Sequence, residues 1–256
     1  MLASLYAGAL EDSAAREQEI SITELERRIS AIEPALDVPA ALNNRPSIHV
    51  LAEIKRASPS KGPLAAIEDP VALAQIYANA GASMISVLTE ERKFKGSLGD
   101  LAAVKTAVKV PVLRKDFIAS EYQVLEARAN GADAVLLIVA GLTESKLLTL
   151  KNLIEQLGMT AFVEAHSADE VRVAAAAGAK MVGVNARDLS TFETDRDLFG
   201  RLVELIPADA IKVAESAVRN VDDVRHYRNS GADVVLVGEA LVTGDPTKLI
   251  KSFLEA

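Results

Sequence analysis

Residues 121–139 read EYQVLEARANG and then ADAVLLIV. The first part is a helical pattern. Gly131 stands where that helix should end, because Gly is the usual residue just past a helix C-terminus. The second part, after Asp133, is an apolar run of the kind found in the doubly buried strands of parallel sheets. The same join recurs where Gly81-Ala82 precedes SMISVL, Gly178-Ala179 precedes KMVGV and Gly231-Ala232 precedes DVVLVG. These glycines are spaced 50, 47 and 53 residues apart. Each interval therefore has room for two strand–helix units of about 25 residues. The missing strands are HVLAEI (49–54), VPVLR (110–114), TAFVE (160–164) and IKVAE (211–215). Pro111 lies near the first residue of its run, where a strand tolerates it. Eight strands alternating with helices predict a (β/α)8 TIM barrel over residues 48–256. A doubly wound open sheet is the alternative, but no GxGxxG follows the first strand.

Residues 1–47 precede the first strand and read as helical. Ser21-Ile22-Thr23-Glu24 fits a capping box, and Leu25, Arg28, Ile29 and Ile32 keep helical spacing up to Pro34. A single domain over residues 1–256 is expected, with this stretch as a helical extension on the barrel. The opening MLASLYAGALEDSAAR lacks a basic region before its apolar residues, so it reads as a helix start rather than a signal peptide. The longest apolar run, AVLLIVAGLT (134–143), is about half of what a membrane span needs.

The formal net charge of −8 argues against nucleic acid or an anionic membrane as partner, since both require a basic face. There is no cysteine, which removes disulfides and thiolate chemistry and fits a reducing cytoplasm. His49, His166 and His226 show no metal-ligand spacing, and a solvated role is expected for His166. No cofactor or metal is called for.

Polar residues end several of the apolar runs. Glu53 and Lys55 end the first strand, on the same face as Leu51 because side chains alternate. Lys115 follows the third strand, Glu164 ends the fifth, Asn185 the sixth, and Glu215-Ser216 the seventh. A lone charge at a strand end is ordinarily the start of a solvated loop. Several of them at one end of a barrel are another matter, because those ends meet at one mouth. Ser58-Pro59-Ser60-Lys61-Gly62 adds hydroxyls and a cation after the first strand, and Gly238-Glu239 opens a short helix after the eighth. Backbone N–H groups after strands 7 and 8 commonly bind phosphate in such barrels. Glu239 is suited to that role only through its backbone.

Taken in order, AEIKRASPSKG, SVLTEERKFKGS, VLRKDFI, FVEAH, VGVNARDL, VAES and VGEALV resemble the indole-3-glycerol phosphate synthase family of tryptophan biosynthesis. The likeness runs from about residue 50 to 245. It implies ring closure of an anionic phosphosugar, 1-(2-carboxyphenylamino)-1-deoxyribulose 5-phosphate, with loss of CO2 and water. It implies no metal or organic cofactor, and a cytoplasmic monomer with other tryptophan-pathway enzymes as its possible partners. Residue by residue, Lys115 matches the general acid and Glu164 the base. Lys55 matches a cation that assists cyclisation, and Glu53, Asn185, Glu215 and Ser216 match polar residues that position these groups. Arg187 would face the anthranilate carboxylate. Phe94, Phe117, Leu136 and Leu189 would pack its ring. Ser58, Ala217, Gly238 and Glu239 would hold the phosphate.

One position departs from the family pattern: Ala217 stands where a Gly is usual. The expectation is a negative φ at Ala217, with the methyl turned away and the N–H still donating to phosphate. Two other classes of protein compete. A related phosphosugar isomerase would need a Cys base, which this chain lacks. A degenerate barrel acting only as a binding subunit would not be expected to keep Lys55, Lys115 and Glu164.

Overall fold

The computed structural model describes residues 1–42, 47–188 and 191–256. The barrel strands are β1 (His49–Ile54), β2 (Met84–Leu88), β3 (Val112–Lys115), β4 (Ala134–Ile138), β5 (Thr160–Ala165), β6 (Met181–Asn185), β7 (Ile211–Glu215) and β8 (Val234–Val237). All neighbours pair in parallel, and β1 pairs with both β2 and β8, so the barrel is closed. A two-residue ladder, Ala57–Ser58 against Gly62–Pro63, folds the loop after β1 back on itself.

The helices are α1 (Leu2–Glu19), α2 (Ile22–Ser30), α3 (Val38–Leu42), α4 (Pro70–Ala80), α5 (Leu98–Ala107), α6 (Glu121–Ala129), α7 (Glu144–Gln156), α8 (Ala168–Ala176), α9 (Leu198–Leu202), α10 (Val221–Asn229), α11 (Glu239–Thr243) and α12 (Pro246–Leu254). Side chains of Asp69, Ser97, Ser120, Thr143, Ser167, Asn220 and Asp245 cap the first turns of α4, α5, α6, α7, α8, α10 and α12. Such caps satisfy N–H groups that have no partner inside the helix. The four repeat glycines, Gly81, Gly131, Gly178 and Gly231, all have positive φ, between 72° and 107°. That left-handed backbone ends each helix and aims the chain into the next strand, as the repeat predicts.

Two apolar layers follow from strand alternation. Outward residues such as Val50, Ile85, Val135, Val163 and Val182 pack under the helices. Inward residues, among them Leu51, Met84, Leu113, Phe162, Met181, Val213 and Val234, fill the barrel. Leu5 and Tyr6 of α1 and Val38 and Leu42 of α3 join this inner cluster. Leu42 shares a cleft with the strand starts His49, Ile211 and Asp233, whereas Leu2 and Leu5 share one with strand ends. So α3 lies under the barrel and α1 lies over its mouth. Helix α2 lays Leu25 against Tyr122 and Leu125 of α6. Ser21 accepts the N–H of Glu24, while the Glu24 carboxylate is engaged by Arg27 and Arg28.

Candidate active site

A cavity of about 790 Å³ opens at the C-terminal ends of the strands. Its lining includes Glu53, Lys55, Ser58, Phe94, Lys115, Phe117, Leu136, Glu164, Asn185 and Arg187. Glu215, Ser216, Ala217, Gly238 and Glu239 line it as well. Of the site residues expected from sequence, Leu189 lies outside the described residues; the others share this one cavity.

Strand parity sets its chemistry. Glu53, Lys115, Glu164, Asn185 and Glu215 each follow, two residues on, an inward position of their strand, so all point inside. The Lys115 ammonium sits 3.2 Å from Glu164 Oε2 and 3.5 Å from Glu215 Oε2. Asn185 Nδ2 donates to Glu164 Oε1 at 3.1 Å, and Ser216 Oγ donates to Asn185 Oδ1 at 2.8 Å. Lys55 Nζ lies 2.6 Å from Glu53 Oε1. Two glycines make room for these pairs. A Cβ at Gly183 would collide with Glu215 Oε1 and the Phe162 ring, and one at Gly238 would collide with Glu53 and crowd the Lys55 ammonium.

The electrostatics separate the two acids at the centre. Burial raises the carboxyl of Glu215, and the charge of Glu164 raises it further, so Glu215 favours its neutral form. Burial opposes ionisation of Glu164 as well. There Lys115, His166 and Asn185 outweigh it and hold the group well below the usual carboxylate range. Burial works against the charge on Lys115, but Glu164, Glu215 and Glu53 together keep it protonated. The pattern is one ionised carboxylate, one neutral acid and one ammonium in contact.

The apolar wall is held from outside the barrel. Phe94 and Phe117 pack with ring centroids 6.0 Å apart, and Tyr6 meets Phe117 edge-on at 5.6 Å. Phe117 N–H donates to Asp116 Oδ1 at 2.8 Å, and Asp116 is anchored by the fully buried Arg114. Arg114 also reaches Glu126, which Arg16 of α1 grips through two bonds. The buried Glu90 carboxylate accepts the N–H groups of Arg92, Lys93 and Phe94, which curls the loop and aims Phe94. Arg92 in turn pairs with Glu11 and Asp12 of α1. The α1 contacts do not stand out in sequence, because their partners lie 80 to 110 residues along the chain. Glu90 bonds residues close to it, but nothing in the sequence marks its carboxylate as buried.

Towards the other wall, Lys61 pairs with the Glu239 carboxylate, which leaves only the backbone of Glu239 for an anion. The guanidinium of Arg187 reaches the carbonyl of Phe192 at 3.4 Å. Two expectations need correction here. Ala217 has a φ of +58°, not a negative one, and Ser216 before it has +68°. Left-handed backbone costs an L-residue roughly 1–2 kcal/mol. Tertiary contacts hold this turn: Ser216 Oγ bonds Asn185, and Tyr227 OH donates to the Ser216 carbonyl at 3.2 Å. The second correction is His166. Its side chain is only 11% exposed and lies 3.2 Å from Glu164 Oε1. The signal was its place two residues after Glu164, on the same face of the strand line.

Among the described residues no group of three or more His, Asp or Glu is arranged to hold a metal ion, and no helix is long and apolar enough to cross a membrane.

Fold and site together define a (β/α)8 barrel with a buried Lys–Glu cluster beside an apolar slot at its mouth, an arrangement suited to acid–base chemistry. The family model for indole-3-glycerol phosphate synthase matches residues 2–253. Indole-3-glycerol phosphate synthase of Leifsonia xyli is 59% identical over 253 residues, covering 99% of this chain and 97% of the relative. The enzyme of that name from Arthrobacter sp. is 53% identical, covering 100% and 96%. Among solved structures, 3-hexulose-6-phosphate synthase from Salmonella typhimurium superposes with a TM-score of 0.64 at 16% identity, over 81% of this chain and 97% of that one. At that identity the likeness speaks for the fold. The chain belongs to the indole-3-glycerol phosphate synthase family and is a decarboxylating cyclase, a lyase of tryptophan biosynthesis.

Proposed function

We propose that this mouth closes the indole ring of 1-(2-carboxyphenylamino)-1-deoxy-D-ribulose 5-phosphate, with Lys115 as general acid and Glu164 as general base. Lys115 protonates the ribulose carbonyl oxygen as the ring carbon bearing the carboxylate attacks the carbonyl carbon. The bond to the carboxylate then breaks, CO2 leaves, and its electron pair restores the aromatic ring. Glu164 takes the proton lost from the adjacent carbon and passes it to the new hydroxyl, which departs as water, while Lys115 regains its proton from solvent. Indole-3-glycerol phosphate results.

The observation that carries this reading is the direct contact of a protonated Lys115 with an ionised Glu164, beside the Phe94–Phe117 wall. Acid and base are thus available together, in the protonation states the two roles require. The wall would align the benzene ring over the carbonyl carbon. Lys55, steadied by Glu53, and Arg187 supply cations for the substrate carboxylate. Glu215, Asn185 and Ser216 orient the acid and base. Ser58 and the backbone of Ala217, Gly238 and Glu239 take the phosphate, and Leu136 closes the slot with Leu189.

The reading extends to a single domain, residues 1–47 as helical extension and 48–256 as barrel, acting as a cytoplasmic monomer. The single domain is supported by a cavity that α1 of the extension lines together with the barrel strand ends, and the reducing compartment by a cysteine-free sequence. Indole fluorescence on mixing with substrate tests the activity. Glu164→Gln keeps the shape but cannot accept the proton, so substrate should still bind while turnover falls at least ~100-fold. Equal loss of binding and turnover would instead mark Glu164 as half of a structural ion pair.

A further inference from the structure

The reaction scheme gives no part to a largely buried imidazole that lies against Glu164. His166 follows β5 with its ring turned towards the same interior as Glu164. Its Nε2 lies 3.2 Å from Glu164 Oε1, as an ion-pair contact rather than a well-aligned hydrogen bond. Its Nδ1 lies 3.3 Å from Glu170 Oε2, and its own backbone N–H donates to that same oxygen at 2.8 Å. Ser167 caps α8 through the N–H of Glu170, which fixes where the Glu170 carboxylate stands. The other groups facing Glu164 are Lys115 from β3 and Asn185 from β6. Glu215 from β7 and Tyr6 from α1 also feel its charge.

A neutral imidazole has one N–H and one lone pair. Between two carboxylate oxygens, the neutral ring would set its lone pair against one of them. Only the imidazolium can donate in both directions.

We propose that His166 is a cationic positioning residue that clamps the Glu164 carboxylate from the turn between β5 and α8, with Glu170 of α8 as its fixed counter-ion. The inference rests on Glu164 being the base. It gives each Glu164 oxygen its own cation, His166 at Oε1 and Lys115 at Oε2. When Lys115 shifts towards substrate, Glu164 then keeps one charged partner and its orientation. Burial works against a charge on His166, but Glu164 and Glu170 overcome it and push the group up to about 10.

Nitrogen-15 NMR of the intact chain, labelled at histidine, reads the charge directly, with the His166 signals identified by their loss in His166→Gln. Both ring nitrogens should stay protonated at pH 8, and Glu170→Gln should bring the titration down. In kinetics, His166→Gln should lower kcat about tenfold with KM changed less than about threefold. The acid limb of kcat/KM should move up by about one pH unit, because Glu164 loses a cation. An imidazole titrating near the ordinary value of about 6.5 overturns the proposal; where His166→Gln does not fold, its signals are identified by elimination with His49→Gln and His226→Gln. An unshifted pH profile in a folded His166→Gln overturns it too. Lost turnover in Glu164→Gln beside unaltered kinetics in His166→Gln sinks the clamp and leaves the base assignment standing. Full turnover in Glu164→Gln sinks both.

Discussion

Inside the barrel, Leu113 and Lys115 lie two residues apart on β3, and Phe162 and Glu164 two apart on β5. The first of each pair is sealed in the apolar floor, and the second stands in a ring of charges. One strand repeat, about 6.6 Å, separates the two regimes. The floor is held by shape: Phe162 is fully buried, and Gly183 exists to let it and Glu215 approach. The rim is held by pairing: Glu53, Glu164 and Glu215 are each 2% exposed or less, and each lies against a Lys ammonium. Buried pairs contribute little net stability, because desolvation offsets their attraction. The floor therefore supplies stability and the rim supplies chemistry, and substitutions should divide the same way.

The largest effect on stability should come from the floor. Phe162→Ala should lower unfolding free energy by about 3–5 kcal/mol in urea titration, the usual cost of emptying a packed aromatic site. A loss under 1 kcal/mol would mean the floor tolerates voids and would blur the contrast. Next comes the rim. Lys115→Ala should reduce kcat at least ~100-fold, about 2.7 kcal/mol of barrier, while unfolding stays cooperative and the far-UV circular dichroism spectrum is kept. Near-normal turnover, or a collapsed spectrum, would show that the two layers are not separable.

A smaller effect should appear as pH dependence. The folded-state value of His166, about 10, lies above its ordinary 6.5. Its stabilisation is therefore fully present below about pH 6.5 and lost as pH rises through about 10. Wild type should lose stability between pH 7 and 10, and His166→Gln should flatten that fall by at least ~1 kcal/mol. Parallel stability curves for the two proteins would remove His166 from the rim's charge balance. The smallest effect concerns the turn after β7. Ala217→Gly relieves left-handed strain of roughly 1–2 kcal/mol but adds unfolded-state entropy of about 0.5–1. A net gain of about 0.5 kcal/mol in urea is expected, and a net loss would mean the Ala217 methyl makes a useful contact.

Much of this was written locally. The Gly-Ala joins mark helix ends, the apolar runs mark buried strands, and both signals span only a few residues. Period-two alternation was enough to put Glu53 and Lys55 on the face of Leu51, and the strand-end polar residues could be read off as one rim. Proximities between strands were not legible in the same way. Lys115 meets Glu164 and Glu215 from positions 49 and 100 residues away. Those meetings depend on barrel closure and stagger, which no window of sequence contains. His166 illustrates the limit: its parity was visible, but its burial between Glu164 and Glu170 needed α8 folded back over β5. Ala217 shows the same for backbone. Its own preference is a negative φ, and the bonds of Ser216 to Asn185 and Tyr227 override it. The sequence by itself determined the eight-strand repeat, the inward charges and the family. Only the tertiary structure decided which charges pair, which of two neighbouring acids stays neutral, and where α1 closes the mouth. Each of these turns on distances of a few ångströms between chain segments that local propensity cannot relate.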